Sequence, residues 1–300
     1  MAETIPPLPD LEFALVDPAH RYVSKKLQEC NWAQSAEGAV DTAHFSFLHA
    51  PVGDNAMAKL PPGYAGQVRW MQADGAPRYT VIEHEAGLIL AGARHADEGE
   101  TYWRIAQWLM PNHSLAPGGA AGQTYHGQTW APIDDESCWV FTYSWNPERP
   151  LGEAERAAYA SGGAIHSEVD ESYVPLRRRA NDYLIDRTLQ KRESFTGIKG
   201  ISEQDAAIQD SQGLTHDRTR EMLGPTDLGV SSLRALMLRA ARELAAGTAP
   251  KSAMSAAAYQ VRSGSIVTPE ELGFDSVMTR RFGHPKGRSD RALTPVAAAE

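Results

Sequence analysis

The sequence predicts an α+β fold, with helices laid on one side of a curved antiparallel sheet. Three observations predict it. Between residues 66 and 146, six short runs rich in aromatic and β-branched residues follow one another closely, divided by Gly, Pro, Asp and Asn. Segments of helical character flank that block on both sides, the arrangement of a sheet with segregated helices. The chain has 300 residues, 42% apolar and 22% charged, which is ordinary for a globular protein and enough to bury a sizeable core.

Taken in order, "IPPLPDLEF" is proline-rich and reads as an extended, linker-like segment over residues 1–18. Residues 20–48 read as mostly helical, with Pro51 just beyond. The six β runs are "QVRWMQ", "RYTVIEHE", "LILAGARH", "YWRIAQWLM", "TYHGQTWAPI" and "CWVFTYSW". Residues 151–192 read as helical and "SFTGIKGI" as a glycine-punctuated loop. "SEQDAAIQDSQG" is a helix with Ser202 as cap and Gly213 as stop. A longer one follows, with Thr226 or Asp227 as cap and Gly247 as stop. The principal domain therefore covers 19–250. Residues 251–300, rich in Ala, Ser, Gly and Pro, read as a C-terminal extension that wraps the surface or frays.

A formal charge of −9 argues against a nucleic-acid partner, because no basic stripe is available to neutralise phosphates. No apolar run approaches the length of a membrane span. The N-terminus lacks the charged and apolar regions of a secretory signal, so Cys30 and Cys138 are expected to be reduced thiols of a cytoplasmic protein.

Chemistry concentrates in "NWAQSAEGAVDTAHFSFLH", which places Asp41, His44 and His49 within nine residues. On a helix Asp41 and His44 share a face, whereas His49 falls about 140° round from His44. Both imidazoles reach one ion only if the helix is distorted or ends near His49. Two neutral imidazoles and a carboxylate with open positions suit non-haem Fe(II). From the spacing alone, partly buried histidines beside a solvated aspartate explain the letters equally well.

The surrounding letters resemble the iron-binding helix of Rieske non-haem iron oxygenases, in the branch of phthalate 4,5-dioxygenase-like oxygenase subunits. That pattern reads N-x-x-Q-x-x-E-G-x-x-D-x-x-H-x-x-x-L-H, and each of its letters is present here. The resemblance extends through "LPDLEF", "YWRIAQWLMP", "WAPIDDES" and the stretch from "NDYLIDR" to "GPTD", covering residues 7 to about 245. It implies a helix-grip (Bet v 1-like) catalytic domain. It implies His44 and His49 as ligands of a mononuclear Fe(II), with the carboxylate ligand at Asp205 in "ISEQDAAIQD" and Asp210 the alternative on the same helix. Asp41 is then a bridge carrying electrons from the Rieske cluster of a neighbouring subunit. O₂, an aromatic-acid substrate, a reductase fed by NAD(P)H and a homotrimeric ring are implied with it.

The family binds its [2Fe–2S] cluster through C-x-H and C-x-x-H pairs. Neither Cys30-Asn31-Trp32 nor Cys138-Trp139-Val140 provides one, so this chain is expected not to hold that cluster. The opening letters match the linker that follows the Rieske domain, as expected of a truncation, a mis-assigned start or a split system. A carboxylate clamp is expected among Arg69, Arg94 and Arg104, read as strand residues of the cavity; a side chain on the outer face is the alternative for each. A module that binds an aromatic ligand without turnover is the competing function.

Overall fold

A computed structural model describes residues 5–60, 62–118 and 123–282. Parts of the linker-like start (1–4) and of the C-terminal extension (283–300) lie outside the described residues. The strands are β1 (Arg21–Gln28), β2 (Arg78–His84), β3 (Gly87–His95), β4 (Glu100–Leu109), β5 (His113–Ala116), β6 (Tyr125–Pro132), β7 (Cys138–Trp145) and β8 (Gly264–Pro269). They form one antiparallel sheet in the order β1-β7-β6-β5-β4-β3-β2. One edge of β4 is split, pairing with β5 at Gln107–Leu109 and with β8 at Glu100–Ile105. The helices are α1 (Glu12–Leu15), α2 (Trp32–Glu37), α3 (Asp54–Ala58), α4 (Pro62–Ala73), α5 (Glu153–Ala160), α6 (Arg187–Arg192), α7 (Ile201–Ser211), α8 (Leu228–Ala245) and α9 (Phe274–Phe282).

Alternation along the central strands sorts the core into two layers. Leu88 and Leu90 of β3, with Ala106 and Trp108 of β4, pack against Val230, Leu233 and Leu236 of α8 on the inner face. Ile89 and Ala91, one residue out of phase, pack against Val277 and Met278 of α9 on the outer face. Covered on both sides, β3 is buried at every position but His95 and reads as a continuous apolar run. Each fully buried aliphatic side chain contributes about 2 kcal/mol.

Several elements differ from the sequence expectation, each for a physical reason. Residues 21–28 are strand, paired with β7 through all eight positions. Buried Lys26 and Gln28 occupy its inner face, which removes the apolar alternation by which a strand is read. "QVRWMQ" is helical: Tyr64, Val68 and Met71 line one stripe of α4 against Tyr102. Between Ala160 and Arg179 the chain runs without a helix. The extension does not simply wrap the surface over residues 251–282, since β8 joins the sheet and Val277 and Met278 of α9 are fully buried. Gly200, at φ +94°, precedes α7 in the cap position, while Ser202 lies inside the helix and accepts from Ser167 Oγ at 2.9 Å. Gly213 (φ +99°) and Gly247 (φ +85°) end their helices as expected.

Candidate metal centre

The motif does not form one helix. Asn31 caps α2, its side chain accepting from Ala33 N–H at 3.0 Å. α2 ends at Glu37, and the Asp41 carboxylate then accepts from the backbone N–H groups of Ala43 (2.7 Å) and His44 (3.3 Å). That bond pattern opens a short 3₁₀ turn at His44–Ser46. The break lets two imidazoles five residues apart face one point, with ring centroids 5.1 Å apart.

The non-ligand letters of the motif secure this segment to its neighbours. Gln34 donates to the Gln209 and Gly213 carbonyls and accepts from His216 N–H, binding α2 to the end of α7. Glu37 receives Arg218 and Arg234, a bidentate pairing that reaches α8. At Gly38 an added Cβ would come within 2.7 Å of Gln209 Nε2, so a side chain there would displace the Gln209 amide.

α7 brings Asp205 to the two histidines. Asp205 Oδ1 lies 3.1 Å from His49 Nε2 and 3.6 Å from His44 Nε2. The three donor atoms fall within 4.8 Å of one another, a spacing that one metal ion could bridge. Each ring is held from behind. His49 Nδ1 is 2.6 Å from Gln204 Oε1, and His44 Nδ1 is 3.3 Å from Asp41 Oδ2. With both Nδ1 atoms engaged by acceptors, both Nε2 lone pairs face the centre. Each Nε2 is buried, and the polar group it faces is the Asp205 carboxylate, as expected of atoms built to ligate. Asp210, five residues along, lies elsewhere: buried, it accepts from Gln28 Nε2 (2.7 Å) and Tyr183 Oη (2.6 Å).

Burial alone would raise the Asp205 carboxyl, but His49 and His44 beside it bring it below the usual carboxylate range. Burial likewise raises Asp41, and bonds from His44 and the backbone N–H groups outweigh it, leaving that carboxyl lowered as well. For His49 burial disfavours the cation, yet Asp205 and Gln204 raise it overall.

The centre borders a pocket between the sheet and the α2–α7 layer. Leu90, Ala106, Trp130 and Val140 supply apolar wall, and Gln128, Ser114, Lys26 and Arg104 supply polar groups. Of the three candidate arginines, Arg104 alone lines it. Its guanidinium stacks 4.1 Å from the Phe45 ring, and its buried Nε has no hydrogen-bond partner. Arg94 also points inward but binds backbone: Nη2 donates to Thr42 O (2.6 Å) and Nε to Asp74 O (3.0 Å), which braces the turn before His44. Arg69 is a correction, because it lies on α4 rather than on a strand, exposed and paired with Asp97 at 3.0 Å. Sequence reasoning missed Gln204 and Lys26. Gln204 had no signal beyond adjacency to Asp205, and Lys26 was hidden by the helical reading of β1.

The family described as LigXa C-terminal domain like matches residues 1–280. The chain is 33% identical over 298 residues to the 3-chlorobenzoate-3,4-dioxygenase oxygenase subunit of Comamonas testosteroni, covering 93% of this chain and 67% of that protein. It is 33% identical over 241 residues to the phthalate 4,5-dioxygenase oxygenase subunit of Pseudomonas putida, covering 77% and 54%. A crystal structure of dicamba monooxygenase bound to dicamba aligns with 77% of this chain and 61% of its own, at 13% identity and a TM-score of 0.40. The chain thus spans between about half and two thirds of these relatives.

Proposed function

The chain belongs to the LigXa C-terminal-domain-like family, and from that premise we propose that it is the catalytic portion of an aromatic-acid ring-hydroxylating oxygenase. His44, His49 and Asp205 would hold mononuclear Fe(II) in this reading, through two imidazoles and one carboxylate. The observation that carries it is the pair of buried Nε2 atoms directed at one carboxylate oxygen. Iron bound there supplies O₂ activation.

The protein's own groups do the rest. Gln204 and Asp41 hold the two rings by their Nδ1 atoms, keeping the proton away from the ligating nitrogen. Asp41 would link His44 to a Rieske [2Fe–2S] centre carried by another domain or chain, which NAD(P)H would reduce through a reductase. Arg104 receives the substrate carboxylate, and the apolar wall excludes water from the ring. Assembly as a homotrimer would bring such a centre to Asp41. We assign the protein to the cytoplasm; Cys30 and Cys138 are buried free thiols, and no helix among the described residues is long and apolar enough to cross a membrane.

The test is a peroxide-supported assay on Fe(II)-loaded protein with a panel of aromatic acids, since peroxide replaces both O₂ and the electron donor. The expected result is an oxygenated ring product that requires iron. Iron bound without any product across the panel would contradict the assignment, and ligand binding without iron would favour the silent binding module.

A further inference from the structure

Two histidines outside the metal centre lie in one hydrogen-bonded line on the pocket side of the sheet. Ser24 of β1 and His126 of β6 each stand two residues before a residue that lines the pocket, Lys26 and Gln128, so alternation turns all four to one face. Ser144 of β7 pairs with His126 and shares that face. His166, from the irregular segment after α5, inserts between the two serines, and its neighbour Ile165 lines the pocket. Ser24 Oγ is 2.7 Å from His166 Nδ1, His166 Nε2 is 2.8 Å from Ser144 Oγ, and the same Oγ is 2.7 Å from His126 Nδ1. Ser144 and His166 are wholly buried, whereas Ser24 and His126, the two ends, are partly exposed.

Burial lowers both imidazoles, His126 to about 4 and His166 to about 3, so at neutral pH each is uncharged and carries one ring proton. A neutral imidazole donates from one nitrogen and accepts at the other, and a hydroxyl does both at one oxygen. The line can therefore be polarised in either direction. With His126 as first donor, its Nδ1–H points to Ser144, Ser144 donates to His166 Nε2, and His166 Nδ1–H points to Ser24. A proton arriving at His126 Nε2 passes each of these protons one step along and releases the Ser24 hydroxyl proton. As many N–H and O–H bonds form as break, no charge stays in the line, and its polarity is reversed. Turns of the rings and hydroxyls reset it.

We propose that this line is a proton path from the surface beside Glu155 to the pocket, and that it supplies the protons consumed in oxygenation. Its outer end is marked by Glu155, whose partly exposed carboxylate accepts from Thr124 Oγ1 at 3.2 Å and favours a proton on His126. Its inner end is marked by Thr142, which pairs with Ser24 across the strands and accepts from Gln128 Nε2 at 3.4 Å. The supply of protons rests on the oxygenase reading. Adding both atoms of O₂ to an aromatic ring as two hydroxyls consumes two electrons and two protons. Inserting one atom and releasing the other as water consumes the same. In that reading the electrons come from a reduced Rieske centre. A ring seated against Trp130 and Val140 displaces the water that would otherwise bring the protons, and the line reaches the pocket from the sheet side instead.

The first test needs neither iron nor turnover. In metal-free protein with isotope-labelled histidine, NMR follows the exchange of the His166 ring proton into D₂O. Ser144→Ala cuts the line to the surface and should slow that exchange by at least about 10-fold, while the β1 and β7 amides keep their protection. A serine that only braces the fold predicts the opposite, because its loss loosens the site and speeds exchange. Unchanged or faster exchange would overturn the proposal. The second test compares two routes to product in Fe(II)-loaded protein. Turnover with O₂ and an added reduced Rieske protein should fall by about 100-fold in Ser144→Ala, the lower end of what a positioned proton donor contributes. Peroxide-supported turnover should be nearly unchanged, since hydrogen peroxide brings its own two protons. Equal loss by both routes, or no loss by either, would also overturn it. A wild type that forms no product by either route would contradict the oxygenase reading, and exchange alone would then decide whether the path exists. Should Ser144→Ala not fold, His126→Phe cuts the line at its outer end and carries the same expectations.

Discussion

Replacing Gln204 with leucine should weaken metal binding without touching a ligand. Gln204 Nε2 donates to the Ile198 carbonyl at 2.8 Å, and this turns its Oε1 toward His49 Nδ1 at 2.6 Å. The amide orientation therefore requires a proton on Nδ1, so in the neutral ring the lone pair is on Nε2, the atom 3.1 Å from Asp205 Oδ1. Leucine leaves the ring free to rotate and to exchange tautomers. Loss of such an outer partner lowers metal affinity by about 10- to 100-fold, or about 1.4–2.7 kcal/mol. The Ile198 carbonyl also loses its donor, which costs about 1 kcal/mol of fold stability. Competition against a chromophoric chelator for Zn(II), and anaerobically for Fe(II), measures the first effect, and urea unfolding the second. Gln204→Glu should bind metal at least as well as wild type, since a carboxylate is a stronger acceptor for Nδ1–H. Unchanged affinity in the leucine variant would refute the claim that Gln204 prepares His49.

Asp41→Asn should keep metal affinity within about 10-fold of wild type, because the amide oxygen still accepts from His44. Electron transfer from an added reduced Rieske protein should fall while peroxide-supported turnover persists, and parallel loss of both would argue for a merely structural Asp41. His166 is fully buried between Ser24 and Ser144, and burial lowers it to about 3. Its folded pKa lies below the unfolded value of about 6.5, so its contribution is complete above pH 6.5 and declines as the pH falls toward 3. Urea titrations should show about 2 kcal/mol lost through this residue between pH 7 and 5, and His166→Asn should flatten the slope by one proton. At Gly229 in α8 an added Cβ would come within 2.5 Å of the Val40 carbonyl, so Gly229→Ala should cost about 1–3 kcal/mol, read as a lowered Tm. Since Val40 precedes Asp41, weakened metal binding should accompany it.

What could be read from the letters depended on where apolar alternation survived. The runs that became β2, β4, β6 and β7 carry it because each buries apolar residues against a helix or the opposite layer, and β3, covered on both faces, is legible as a continuous apolar run. β1 does not, because Lys26 and Gln28 turn polar ends into the cavity, so the strand most involved with the ligand space was the one read as helix. α4 failed in the opposite direction: Val68 and Trp70 suggested a strand in a six-residue window, and only the longer Tyr64–Val68–Met71 spacing reveals the helix. β8 rests on pairing with the free half of an edge of β4, a tertiary fact that no local pattern records. The motif placed Asp41, His44, His49 and Asp205 by resemblance, but spacing alone could not bring His44 and His49 to one point. The 3₁₀ turn capped by Asp41 does so.

The central claim is that His44, His49 and Asp205 form one iron centre, and iron content tests it most directly. Wild type, Asp205→Ala and Asp210→Ala would be loaded anaerobically with Fe(II), desalted and analysed, with circular dichroism to establish folding. The account predicts about one iron per chain in wild type and in folded Asp210→Ala, and almost none in Asp205→Ala. Full iron in folded Asp205→Ala would contradict it.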